Sequence, residues 1–312
     1  MAACLAGAAL SFMVSARAAV EFRTNDVIAF VGGANVAAAQ HAGHLESLLT
    51  LAHPRHRLRF RNFGWEGDTV FSQPRDAGFP PLTNLLRKAG ATVVFLQFGG
   101  TEAFAGTNDL PRFIAAYERL VDDFATVTPR LMLVTPPPFE KTGPPLPDLT
   151  RRNPDLAAYA EAIRSLARRR SLPVADLFAE LGATRGPAGR TFDGHQLSDR
   201  GHGLVATAFL RQLGLPDMAG RTGPMGYNGR WKDAAAEALR SEIVAKNRLW
   251  FDYSRPMNWA FLGGDRVEQP SSRDHRDPKV RWFPGELEEF VPLIEKSEAR
   301  IRDLVNTLPE LR

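Results

Sequence analysis

The sequence predicts a three-layer α/β/α protein on a parallel sheet, followed by a mainly helical C-terminal extension. From residue 26 to about 215, short apolar runs alternate with amphipathic stretches, the pattern of strands connected by covering helices. Residues 92–98 form a near-continuous apolar run, as a strand buried on both faces does. Beyond Gly214 the composition changes: turn residues fill 222–226, helical periodicity follows, and Trp231, Trp250, Trp259 and Trp282 fall in this last third.

The elements follow in order. Residues 27–31 read as a short buried strand ended by Gly32-Gly33, and a helical stretch follows with Leu45, Leu48 and Leu49 on one face. Residues 57–61 alternate basic residues with Leu58 and Phe60, predicting a strand with one exposed side. After the central strand at 92–98, residues 110–125 place Phe113, Leu120 and Phe124 on one helical face. Residues 130–135 give the next strand, stopped by Pro136-Pro137-Pro138. Asn153-Pro154 opens a helix with proline in its first turn, and Arg168-Arg169-Arg170 closes it, where cations complement the helix dipole. Residues 173–178 form a fifth strand, and a helix runs from Gly201 to about Leu213. In the extension, 233–246 and 285–304 are helical by pattern. The expected division is a leader over 1–19, an α/β domain over 24–216 and a Trp-rich helical extension over 217–312.

The leader reading rests on a short apolar stretch at residues 5–14 and on Ala16-Arg17-Ala18, small residues at the positions a signal peptidase requires. It predicts export, periplasmic or extracellular in a bacterium. No other segment is long and apolar enough to span a bilayer. The only cysteine, Cys4, lies in the leader, so neither disulfides nor thiolate metal sites are expected after its removal. The chain is 44% hydrophobic and 24% charged, with a formal net charge of +4. Its basic residues do not gather in an aromatic-interleaved block, which argues against a nucleic-acid partner.

In an open α/β sheet, ligands bind beyond the carboxyl ends of the strands. Four glycine-containing turns fall there: Gly32-Gly33-Ala34-Asn35, the stretch Asn62-Phe63-Gly64-Trp65-Glu66-Gly67-Asp68-Thr69, Phe98-Gly99-Gly100-Thr101-Glu102, and Asp193-Gly194-His195-Gln196-Leu197. Together they resemble the SGNH/GDSL hydrolase family, which carries Gly-Asp-Ser after its first strand, a loop glycine after the second, Gly-x-Asn-Asp after the third and Asp-x-x-His near its end. The resemblance covers residues 26 to about 215 and implies the flavodoxin-like SGNH-hydrolase fold and ester hydrolysis. Arg255-Pro256 and Glu268-Gln269 resemble, more weakly, the C-terminal extensions of a bacterial branch.

Carried over residue by residue, the resemblance puts Ala34 at the nucleophilic serine, Gly67 and Thr101 at the two oxyanion donors, Asp193 at the retained acid and Gln196 at the base. Ala34 has no attacking oxygen, and the Gln196 amide has no useful basicity. His195 and Glu102 are the candidate substitutes. His202, Thr69, Ser72 and Asn35 lie near the expected rim. Glu102 with Asp193 is a possible carboxylate acid/base pair, since such pairs cleave glycosidic bonds at defined separations. Asp193, His195 and His202 match no metal-ligand spacing, so neither metal nor cofactor is expected. Trp65 and the C-terminal tryptophans read as anchors of the extension, with sugar-stacking platforms as the alternative.

Three functions remain open. The first is a pseudoenzyme that keeps its cleft for a small-molecule, carbohydrate or acylated-glycan ligand. The second is an active esterase or acylhydrolase working through His195 or another substitute group. The third is a structural or partner-binding module acting through the extension.

Overall fold

The computed structural model describes residues 20–183, 189–215 and 217–307. The expected leader, with Cys4, lies outside the described residues. Five strands, β1 (Val27–Gly32), β2 (Arg59–Asn62), β3 (Val93–Gln97), β4 (Leu131–Val134) and β5 (Val174–Ala175), form one sheet in the order β2-β1-β3-β4-β5. All four pairings are parallel, with Ile28 beside Val93 and Phe60, and Leu96 beside Leu133.

Helices α1 (Ala34–Ala42) and α2 (His44–Ala52) follow β1, and α3 (Leu82–Lys88) follows β2. Next come α4 (Leu110–Ala125) after β3, α5 (Asn153–Arg169) after β4, and α6 (Leu177–Ala183) with α7 (Asp199–Gln212) after β5. The chain continues through α8 (Ala219–Thr222), α9 (Ala234–Ser254), α10 (Trp259–Leu262), α11 (Trp282–Glu288) and α12 (Phe290–Thr307). Among the described residues no helix is long and apolar enough to cross a membrane.

Alternation along the strands builds two cores. Val94 and Leu96 face Phe113, Tyr117 and Ile163 on one side of the sheet. Val93 and Phe95 face Leu49, Phe209 and Leu239 on the other. Successive strand residues point to opposite faces, so an apolar run without breaks is what a sheet covered on both sides needs. Each such side chain contributes about 1.5–3 kcal/mol on burial. The C-terminal helices join these cores rather than forming their own: Trp250 and Ile294 enter the first, Leu239, Ile243, Ile301 and Val305 the second. The Trp250 indole N–H donates to the Asn62 carbonyl at 2.8 Å, which fastens α9 to the end of β2.

Charge is also buried at this seam. Lys246 on α9 pairs with Glu46 on α2, and Arg61 on β2 pairs with Glu298 on α12 at 2.6 Å. Burial pushes the Lys246 ammonium below and the Glu46 carboxyl above their ordinary values, and each partner opposes the shift.

Three boundaries differ from the sequence expectation. The strand expected over 173–178 is only Val174–Ala175, and α6 already begins at Leu177. The helix expected over 233–246 runs on to Ser254, because Asn247 and Trp250 extend its buried face. The single helix expected over 285–304 is two. Pro292 lacks an N–H and its ring crowds the carbonyl four residues back, that of Glu288, where α11 ends. α1, which the sequence marked only by its continuation at Leu45, has alanine at five of its nine positions and is closed by Gly43 at φ 70°.

Candidate active site

The strand order reverses direction beside β1, which lies between β2 and β3, so the crevice of the sheet opens where these strands end. The chain passes from β1 into α1 through Gly32-Gly33 without a loop. A Cβ on Gly32 would stand 2.4 Å from the Gln97 carbonyl oxygen, and one on Gly33 would stand 2.9 Å from that of Asp68. Only glycine allows this approach. Ala34, the first residue of α1, consequently lines a hollow with Asp68, Phe98, Gly100, Thr101, Pro136 and His195.

His195, not Gln196, enters this hollow. The Asp193 carboxylate accepts the backbone N–H groups of His195 at 2.8 Å and Gln196 at 2.6 Å, and Gly194 takes φ 94°. The turn is therefore tighter than an Asp-x-x-His spacing implies. It aims His195, the candidate substitute, inward and leaves Gln196, the residue at the base position by resemblance, exposed. The His195 ring lies edge-on to Phe104 and Phe139, with centroids 5.6 and 5.5 Å away. Its Nε2 is 3.2 Å from the place a Cβ on Gly100 would occupy. Burial pushes the imidazole below its ordinary value and the Asp193 charge pulls it back, so the ring is neutral near pH 7.

Asn35, next to Ala34, holds this turn. Its Nδ2 donates to the His195 carbonyl at 3.1 Å and its Oδ1 accepts the Leu197 N–H at 2.9 Å. The sequence marked Asn35 only as a rim residue, and nothing local in it signals this clamp across the sheet end.

Glu102 lines the hollow but its oxygens are engaged. One accepts the Val70 N–H and the other the Gly99 N–H, each at 2.8 Å. Burial raises its pKa and those two amides oppose the rise. With Asp193 also capping backbone amides, the two carboxylates act as loop ties, and a carboxylate acid/base pair has no support. Thr101 lines the mouth with its side chain exposed, and among the described residues no hydroxyl hydrogen-bonds to the His195 ring.

Gly67 is exposed and does not line the hollow. Its neighbour Asp68 does, with its carboxylate held bidentately by Arg75 at 2.6 and 2.8 Å. Thr69 and Ser72 close a local turn outside the hollow. His202 lies on α7, buried, and faces an adjoining cavity under α1 together with His44; that cavity shares Asn35, Val36 and Gln97 with the hollow. Burial pushes His202 down to about 3 and His44 to about 4. Among the described residues no group of His, Cys, Asp and Glu is arranged to hold a metal ion.

The Trp65 ring is covered. The guanidiniums of Arg75 and Arg255 lie over it at 4.0 and 4.3 Å, and Phe79 meets it edge-on. These contacts tie the half-buried Trp65 ring to Arg75, Arg255 and Phe79. Arg255, from beyond the end of α9, also donates to the Gly64 carbonyl and pairs with Glu66 at 2.9 Å, so the C-terminal region buttresses the loop after β2.

A model of the GDSL-like lipase/acylhydrolase family matches residues 28–204. Among solved structures, a gut microbial diltiazem-metabolizing enzyme superposes with a TM-score of 0.60 at 11% identity, over 93% of this chain and 96% of its own. An acetylxylan esterase from Geobacillus stearothermophilus superposes with a TM-score of 0.48 at 17% identity, over 62% of this chain and 97% of its own. The first likeness is one of fold and extends into the C-terminal helices. No curated protein sequence matches the chain.

Proposed function

The chain belongs to the GDSL-like lipase/acylhydrolase family, and within it we propose a member that binds an ester-bearing ligand without turning it over. The carrying observation is the alanine at the head of α1, in one hollow with the neutral imidazole of His195. Acyl transfer needs an oxygen there, activated by the base beside it. Nucleophile and base act as a unit, and loss of the nucleophile alone costs about 10⁶ in turnover in a serine hydrolase. Binding and oxyanion assistance leave roughly 10³ over water.

The ligand we infer is an acylated carbohydrate. Pro136, Pro137, Phe98 and the Ala34 methyl give the hollow apolar walls that suit a short acyl group. With Trp65 covered, the sugar contributes little stacking and lies outside the hollow. The apolar stretch at residues 5–14, read as part of a leader over 1–19, supports export to where such glycans occur.

A second reading, an esterase in which His195 activates water directly, is favoured by the neutral ring in the hollow. Hydrolysis of p-nitrophenyl acetate separates the two. The wild-type chain is expected at the buffer background. Ala34→Ser is expected to gain turnover, lost again in Ala34→Ser/His195→Ala. Wild-type turnover above background that vanishes in His195→Ala establishes the second reading and ends the first.

A further inference from the structure

Between the β2 edge of the sheet and the C-terminal helices lies a cavity of ≈ 360 Å³. Small-molecule sites run from about 300 to 1,000 Å³ and favour seams between parts of a chain. Both parts supply aromatic walls: Phe63 and Phe79 from one, Trp250, Tyr253 and Trp259 from the other. Cations brace two of these walls, Arg61 over Trp250 at 4.9 Å and Lys88 over Tyr253 at 5.1 Å. Rings fixed around open space lack partner atoms on that side, and a planar guest supplies them.

Arg61 distinguishes this cavity from a packing gap. It is 8% exposed and lines the wall. Its Nη1 serves both Glu298 Oε1 at 2.6 Å and the Phe60 carbonyl at 2.8 Å. Its Nε and Nη2 have no acceptor among the described residues. A guanidinium presents five donors in a fork that matches a carboxylate, so these are open positions for an anionic group. Arg59, two residues along β2 and thus on the same face, also lines the cavity and has no acidic partner among the described residues. Of the acids nearby, Glu298 is engaged by Arg61 and Glu288 pairs with Lys88 at 3.3 Å, which leaves Glu295 as the remaining carboxylate of the lining.

We propose that this cavity binds a planar aromatic carboxylate, its rings between the aromatic walls and its carboxylate on the open donors of Arg61, with Arg59 at the rim. No residue lines both this cavity and the hollow beside Ala34, so the site stands apart from the function proposed above.

Calorimetric titration of the full chain with 2-naphthoate, and with uncharged 2-naphthamide, tests this. The expected result is saturable one-to-one binding of naphthoate, with naphthamide at least about tenfold weaker because a charge-assisted pair is lost. Val291→Trp, which fills the cavity, is expected to abolish binding, and Arg59→Gln to weaken naphthoate roughly threefold or more by removing a rim charge. Ala34→Leu, which crowds the hollow instead, leaves binding unchanged. Absence of saturable binding at millimolar naphthoate overturns the proposal. Equal affinity for the amide, or unchanged affinity in Val291→Trp, does the same. Should Val291→Trp fail to fold, Arg59→Gln alters only an exposed side chain, and an unaltered naphthoate affinity in that variant is equally fatal.

Discussion

In the hollow beside Ala34, polar side chains are answered by backbone N–H and C=O groups, some nearby and some distant in sequence. Glu102 ties Gly99 and Val70, Asp193 caps His195 and Gln196, and Asn35 bridges to Leu197. At the seam under α9 and α12, buried polar groups are answered by opposite charges far away in sequence, Lys246 by Glu46 and Arg61 by Glu298. Each arrangement fails differently. Losing a backbone tie leaves a neutral amide or carbonyl unanswered, at a cost of about 1–3 kcal/mol. A buried ion pair holds two elements together, and removing one member strands the other charge away from water. The site region can therefore carry a methyl side chain at residue 34 at little structural cost, while the seam has no such latitude.

The largest expected effect tests this directly. Glu46→Ala leaves the Lys246 ammonium buried without its partner, and breaking such a pair costs about 3–5 kcal/mol. Urea unfolding is expected to show that loss. A double replacement, Glu46→Leu with Lys246→Met, is expected to be neutral or stabilising by about 1–4 kcal/mol, as apolar substitutes for buried pairs often are. If the single change is silent, the contrast between seam and site disappears.

Next in size is acid. His44 and His202, under α1 between the two regions, are buried with pKa values of about 4 and about 3. Each binds its proton more readily unfolded, where the ordinary value is about 6.5. A depressed folded pKa gives a contribution fully present above the unfolded value and lost as pH falls from there toward the folded value. The affected window runs from about 6.5 down to 3–4. Between pH 7 and pH 5 the two rings together are expected to remove on the order of 3 kcal/mol of stability. Denaturant titrations at both pH values check this, and His44→Gln/His202→Gln is expected to flatten the difference. An equally steep dependence in that variant assigns it elsewhere.

Within the hollow the effects shrink. Asn35→Ala releases the His195 carbonyl and the Leu197 N–H, and leaving such groups unanswered costs about 1–3 kcal/mol. The change is expected to leave Lys246 and Arg61 unaffected and to loosen residues 193–197 selectively, seen as faster amide exchange there. Faster exchange spread through α9 and α12 places Asn35 in the seam's cooperative unit instead.

Much of this was legible in the sequence, for identifiable reasons. Strands such as Val93–Gln97 are buried on both faces, so their apolar runs survive without context. Gly32 and Gly33 mark close backbone approaches that no other residue permits, so the turn at the site also shows. What depends on three-dimensional register does not. The inward turn of His195 rests on Asp193 and the positive φ of Gly194. The covering of Trp65 needs Arg255, far along the chain. The split at Pro292 was visible as a proline, but its consequence depends on where the preceding helix ends.

The smallest expected effect falls on Gln196. Its side chain is exposed while its backbone N–H is held by Asp193, so replacing the amide with a methyl removes neither a buried contact nor the turn. Gln196→Ala is expected within about 0.5 kcal/mol of the parent, the usual range for surface substitutions. In an Ala34→Ser background it is expected to leave p-nitrophenyl acetate turnover unaltered, whereas His195→Ala removes it. These results differ because the two neighbours point in opposite directions from one capped turn. If Gln196→Ala instead abolishes turnover and His195→Ala does not, the turn lies one residue out of the register described. The hollow would then contain an amide and no base at all.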